Sequence, residues 1–183
     1  MNKKRSIIIF FLFCFSCASF KETQLYVYLT NSSKFFLLPA GSIENSLDML
    51  QRISASWQGK DFIFNAWVKA DKSGMEIVIL NEFGVNMGEL SYRNGLVSFS
   101  SSPLFPNSMK PEYIVADFQF CFYNAAALGN ALKNSGLAFE STENVRRIFQ
   151  GKALIIEIEK SHNTVKLINH LRGYAYTLEG NFE

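Results

Sequence analysis

The sequence predicts a mainly β protein of the α+β kind: a curled antiparallel sheet, or half-open β-barrel, of about ten or eleven strands with two helices inserted as a lid. Three observations predict it. From Leu50 to Ser100, apolar and polar residues alternate in runs separated by short turn-forming stretches. Between Pro111 and Leu132 the apolar period lengthens to that of a helix. After Gly136 the alternation of strands resumes and continues to Leu178.

Each element follows in order. Phe35 to Leu38 is a short apolar run stopped by Pro39 and Gly41, and Ile43 to Met49 is expected as a short helical turn. Leu50 to Trp57 alternates and ends at Gln58-Gly59-Lys60-Asp61, a turn by composition. Phe62–Lys69, Met75–Leu80, Val85–Tyr92 and Leu96–Ser100 continue the series, divided by Asp71-Lys72-Ser73-Gly74, Asn81-Glu82-Phe83-Gly84 and Arg93-Asn94-Gly95. Turns this short make only antiparallel pairs. Ser102 to Asn107 reads as a loop. Pro111-Glu112 opens a helix whose Ile114, Phe118, Cys121 and Phe122 share one face. Asn124 is placed to cap a second helix over Ala125–Leu132, which ends near Asn134-Ser135-Gly136. Five strands follow: Leu137–Glu140, Val145–Gln150, Ala153–Lys160, Thr164–Asn169 and Gly173–Leu178. A sheet of this size curls, and the helices between its two halves are its natural cover.

The 183 residues suit one domain, and the formal net charge is +2. Lys3, Lys4 and Arg5 carry that excess, so no broad basic field exists and nucleic acid is not an expected partner. The N-terminus reads as an address: a basic tip, an apolar run from Ile7 to Phe15 and then Ser16-Cys17. A run this short falls below the roughly 20 residues that span a bilayer and matches the core of a secretory signal. Residues 1–16 are therefore read as a signal peptide, 17–33 as the cysteine and a polar tether, and 34–183 as a single β-rich domain. Ser16-Cys17 resembles the lipobox of bacterial lipoproteins, which implies lipid on Cys17; plain secretion and a retained anchor are the alternatives. Ala18 and Ser19 lack the Asp that holds many lipoproteins at the inner membrane, which resembles outer-membrane sorting. With Cys14 removed and Cys17 lipidated, only Cys121 remains, so no internal disulfide is expected and a real hydrophobic core is needed.

Trp57 with Gly59, Gly84, Tyr92 with Gly95, Pro103, Pro106, the helix Pro111-Glu112-Tyr113-Ile114-Val115-Ala116-Asp117-Phe118-Gln119 and Arg172-Gly173-Tyr174 together resemble the lipoprotein family called DUF3261, over roughly residues 37–179. That family name implies no activity. The order strand, Trp-x-Gly, strand, turn, strand, then paired helices is also similar to the LolA and LolB family. Those proteins have a half-open barrel with a helical lid over an apolar cavity and pass lipoproteins to the outer membrane. LolB projects an apolar residue from an Asn-Pro-Leu-Gly turn. Asn81-Glu82-Phe83-Gly84 stands at the matching place, with Phe83 at the projecting position and Glu82 in place of Pro.

These readings single out Phe83 as a contact for bilayer or acyl chain, or else as an aromatic folded back on the sheet. Trp57, Trp67, Ile114, Phe118, Cys121 and Phe122 are read as lining a cavity or lid, or as plain core. Asp117 is a polar residue on the lid helix, with Arg146, Arg147 and Arg172 as possible partners and a surface or capping role as the alternative. His162 and His170 lack the spacing of metal ligands, and no phosphate loop or nucleophile elbow is present, so no metal or cofactor is expected. The expected protein is a monomeric, non-enzymatic lipoprotein at the outer membrane, facing the periplasm. It would hold an acyl chain or lipidated partner in an apolar cavity for transfer or localisation, with a periplasmic LolA-like carrier as a possible donor. One alternative is a ligand-free assembly lipoprotein. The other is an accessory enzyme on lipid or polyketide-like chains, which requires Asp117 to meet Arg147 or His170.

Overall fold

The computed structural model describes residues 24–103, 105 and 110–182. Residues 1–16, read as a signal peptide, and with them Cys17 and Pro106, lie outside the described residues. Twelve strands and two helices are present among them: β1 (Tyr26–Tyr28), β2 (Lys34–Phe36), β3 (Leu47–Trp57), β4 (Lys60–Asp71), β5 (Gly74–Leu80), β6 (Asn86–Arg93), β7 (Leu96–Ser101), α1 (Pro111–Phe122), α2 (Ala125–Asn134), β8 (Ala138–Ser141), β9 (Val145–Gln150), β10 (Ala153–Lys160), β11 (Thr164–Asn169) and β12 (Tyr174–Glu179). Ten of the strands form one antiparallel sheet in the order β7-β6-β5-β4-β3-β12-β11-β10-β9-β8. The sheet is curled and open, not closed into a barrel. The first half of the chain fans outward from β3 to the edge strand β7. The helices carry the chain across to the other edge at β8, and the second half returns to place β12 beside β3.

Turn chemistry sets this path. Asn94 (φ 51°) and Gly95 (φ 75°) form a two-residue turn with both residues left-handed, the geometry that matches the twist of a hairpin. Gln58 (φ 51°) and Gly59 (φ 73°) do the same between β3 and β4. Asn124 caps α2 by accepting from the backbone N–H of Ala126 and Ala127 at 3.0 and 3.2 Å.

Two stretches depart from expectation. Part of the segment read as tether is folded: β1 and β2 form a separate hairpin, with Val27, Leu29, Phe35 and Leu37 buried. Thr30 Oγ1 closes its turn by accepting from the N–H groups of Ser32 and Ser33. The helical turn expected over Ile43–Met49 is instead one turn of 3-10 helix at Ala40–Ser42, a bridge between Ile43 and Tyr123, and the start of β3. Leu47 and Met49 continue the two-residue alternation of β3, and pairing with β4 outweighs any local helical preference.

The lid is more deeply placed than a lid need be. Every residue of α1 from Val115 to Phe122 is buried. One side of the helix faces the sheet; the other meets the N-terminal segment, where Phe35 and Phe120 rings lie 4.8 Å apart. Gln119, fully buried, imitates a strand: its Oε1 accepts from Leu38 N–H at 2.9 Å and its Nε2 donates to Leu38 O at 2.8 Å. Replacing Gln119 with Leu strands the Leu38 N–H, while Leu38 O keeps the hydroxyl of Tyr92. We expect a loss of about 1–3 kcal/mol, measured by urea unfolding at unchanged m.

Candidate functional site

The turn between β5 and β6 holds the most exposed aromatic side chain of the described core region: Phe83 is 91% exposed. The turn is built to hold this shape. Asn81 Oδ1 accepts from the N–H of Phe83 and of Val85, both at 2.9 Å. Asn81 N–H donates to Val85 O and Gly84 N–H to Asn81 O. Gly84 takes φ 78°, where a side chain is strained. The ring is thus held out by a closed hydrogen-bonded loop, not by a slack one. Val85 beside it is 50% exposed.

Register shows what lies at the same end of the sheet. Leu80 pairs with Asn65, so β4 runs on beyond β5 through Phe64, Ile63 and Phe62 to Lys60. Tyr174 pairs with Trp57, which brings the turn carrying Leu171 and Arg172 to this end as well. On the concave face, Gln51, Ala66, Val68 and Ala70 are buried at the far end. Toward the Phe83 end, Ile53, Ala55, Trp57, Phe62, Phe64 and Tyr176 are only partly buried. Tyr176, Ala55 and Phe62 are paired in a row across β12, β3 and β4, Ile53 pairs with Phe64, and with Trp57 they form an apolar floor that opens to solvent.

Trp57 therefore sits on the concave face, at its open end. Trp67 does not: it alternates with the buried Ala66 and Val68, pairs with Leu50 and Val78, and is 50% exposed on the convex face. Its expected place in a cavity wall is corrected by the parity of β4. Phe118, Cys121 and Phe122 are buried in the core, Phe118 against Phe122 at 4.8 Å and Phe122 stacked on Phe182 at 5.7 Å. Ile114 is partly buried against the core. The space between α1 and the sheet is filled at these positions by the chain itself. A depression of about 610 Å³ is lined by Gly129, Lys133, Leu137 and Phe139, and another of about 240 Å³ by Leu47, Asp48, Lys69 and Ala70; no residue of α1 lines either.

Asp117 is neither a surface nor a capping residue. It is buried, and the Tyr174 hydroxyl donates to its Oδ2 at 2.8 Å. Tyr174 in turn accepts from Asn169 Nδ2 at 3.2 Å. Burial pushes the Asp117 carboxyl up to about 7, against the opposing pull of the Tyr174 hydroxyl and the Arg172 charge. Arg147 and His170 are not its partners: they sit with Glu157, at 2.8 and 3.9 Å. Arg147 alternates with the buried Arg146 and so faces away from α1. Arg146 reaches inward and donates to three carbonyls at the end of α1. Cys121 is fully buried and burial pushes its thiol up to about 12, which disfavours the thiolate. Among the described residues, no three His, Cys, Asp or Glu side chains stand together as metal ligands do, and no helix is long and apolar enough to cross a membrane.

Sequence reasoning did not reach the roles of Tyr174, Tyr176, Asn169 and Gln119. Polar residues inside alternating strands or on an apolar helix face are the available signal, but a partner on another element is not encoded locally. A family model described as a protein of unknown function, DUF3261, matches residues 48–180. No curated protein matches the chain.

Proposed function

The chain belongs to the DUF3261 family, and from that premise we propose that it is a lipid-anchored, non-enzymatic protein of the outer membrane that engages an acyl chain or a lipidated partner for transfer or localisation. The observation that carries this reading is Phe83, held 91% exposed by a closed turn. A rigid turn loses little ordering entropy on contact, and burying a Phe side chain yields about 1.5–3 kcal/mol. The apolar floor of Ile53, Trp57, Phe62 and Phe64 at the same end of the sheet offers further contact, at about 0.8 kcal/mol per buried methylene. The resulting grip is shallow and suits transient holding, after which a bilayer takes the chain downhill. Glu82 keeps the tip from sinking permanently. Lipid on Cys17 supplies attachment, and a LolA-like carrier is a fitting donor.

A second reading, a ligand-free assembly lipoprotein, is favoured by one observation: Phe118, Cys121 and Phe122 fill the space beneath α1. Native mass spectrometry of the Cys17→Ser protein purified from an envelope extract separates the two. The first reading expects an added acylated mass. Phe83→Glu is expected to cut the occupied fraction about tenfold and to leave the Tm unchanged, since the ring makes no core contact. A single unliganded mass for the parent protein supports the second reading.

A further inference from the structure

The β1–β2 hairpin presents a second apolar surface, unrelated to Phe83. Val27 and Phe35 point inward, so Tyr26, Tyr28, Lys34 and Phe36 share the outward face. Tyr28 is 40% and Phe36 44% exposed. Tyr26 lies 5.5 Å from Tyr28 and 5.7 Å from Phe36, edge to face in both pairs. The Lys34 ammonium stands 4.3 Å over the Tyr26 ring and 5.4 Å from that of Tyr28. At the margin, Arg172 lies over the Tyr113 ring at 4.5 Å and donates to the Tyr113 hydroxyl and to Tyr28 O. From Gln24 to Leu38 the only charged residue is Lys34.

The occupant follows from chain length and chemistry. Cys17 and Gln24 are seven residue steps apart, which at full extension is about 25 Å. The chain enters the fold along this hairpin, where Leu37 N–H donates to Leu25 O and Gln24 Nε2 donates to Leu37 O. A lipid on Cys17 thus keeps this face within that reach of the headgroups. Tyr rings with a polar tip, a Phe, and a Lys whose stem runs along rings form the side-chain mixture of a membrane–water interface. The two cations suit anionic phosphates. A sugar platform is a poorer fit, because Lys34 stands over the Tyr26 and Tyr28 rings and the rings meet edge to face instead of offering one flat surface.

We propose that the outward face of this hairpin, Tyr26, Tyr28, Lys34 and Phe36, docks on the anionic bilayer surface that holds the anchor. This rests on the reading of Cys17 as lipidated and is independent of what Phe83 touches. It gives the domain a fixed seat, since a single attachment leaves a tethered domain free to tumble.

The test uses the full chain purified from membranes with its own lipid and reconstituted in vesicles of phosphatidylethanolamine and phosphatidylglycerol. A dye is placed through Asn31→Cys at the hairpin tip, or through Leu96→Cys on a distant turn, with buried Cys121 protected from labelling. Headgroup-spin-labelled phospholipid is expected to quench position 31 at least threefold more than position 96. Tyr28→Ser with Phe36→Ser is expected to bring position 31 down to the level of 96 with an unchanged Tm. Equal quenching at both positions, or indifference to the double substitution, overturns the docking; if a dye through Phe83→Cys is still quenched, the Phe83 reading stands alone. Loss of peptidoglycan binding by the double variant without loss of quenching overturns it in favour of a glycan. Intact mass reports the premise: a chain without added lipid removes the anchor and this inference with it.

Discussion

Arg146→Ala is expected to lower the unfolding free energy by about 3–5 kcal/mol, the largest effect expected of any single substitution named above or below. Arg146 is 4% exposed. Its Nη1 donates to the carbonyls of Phe120, Cys121 and Tyr123 at 2.9, 3.3 and 2.8 Å, and its Nη2 to Glu44 Oε2 at 3.1 Å. The last carbonyls of a helix have no partner within it, and this end of α1 is buried where water cannot serve them. A guanidinium answers several carbonyls at once and places positive charge at the negative end of the helix dipole. Removing it strands the carbonyls and opens a cavity. In a domain of this size the Tm should fall by about 10 °C. Arg146→Lys should recover only part, because one ammonium does not span the same three acceptors. Glu44→Gln should cost under about 1 kcal/mol, since Glu44 lies at the surface and solvates readily. Calorimetry of the three variants checks this; an Arg146→Ala shift below about 2 °C contradicts the capping role.

Asp117→Asn is expected to stabilise the protein at pH 8 and to remove much of its pH dependence between about 4 and 7. Burial raises the carboxyl from its ordinary value to about 7. The folded protein therefore holds a proton there that the unfolded chain has released. Stability from this group is fully present below the unfolded value near 4, is lost as pH rises toward 7, and stays lost above. Tyr174, Arg172 and Asn169 face the group or its partner. They offset only part of the burial. The full swing is about 4 kcal/mol. Asn keeps an acceptor for the Tyr174 hydroxyl and carries no charge at any pH. The difference in unfolding free energy between the parent protein and the Asp117→Asn variant, measured by urea at pH 4 and pH 8, should widen by about 2–4 kcal/mol in favour of the variant at the higher pH. A difference that does not change with pH means that the carboxyl is already ionised at pH 4.

Much of the fold was legible because its signals are local. Val145–Gln150, Ala153–Lys160 and Thr164–Asn169 are strands over the expected residues, since clean alternation and short turns bound them. The Asn81-to-Gly84 turn was legible for the same reason. What resisted was the choice of face. In Phe62-Ile63-Phe64-Asn65-Ala66-Trp67-Val68 large apolar side chains stand on both parities, so alternation alone leaves open whether Trp67 faces inward. The inward set is instead Phe62, Phe64, Ala66, Val68 and Ala70, and only its small members, Ala66, Val68 and Ala70, are fully buried. Two successive arginines on β9 must face opposite ways, yet nothing local says that Arg146 is the buried one. The β1–β2 hairpin was hidden by Thr30-Asn31-Ser32-Ser33-Lys34, whose polarity suggests a tether, although Val27, Leu29, Phe35 and Leu37 keep the strand period. The burial of α1 on both sides depended on that hairpin and could not be read without it.

The proposed function turns on Phe83 meeting an aliphatic partner. A photoreactive benzoylphenylalanine in place of Phe83, activated in living cells that make the protein, tests this whatever the cargo is. Covalent adducts with phospholipid or with an acylated polypeptide are predicted, and none of comparable yield from the same group placed at Leu96. Adducts confined to unacylated protein, or recovery of the unreacted ketone alone, contradict it.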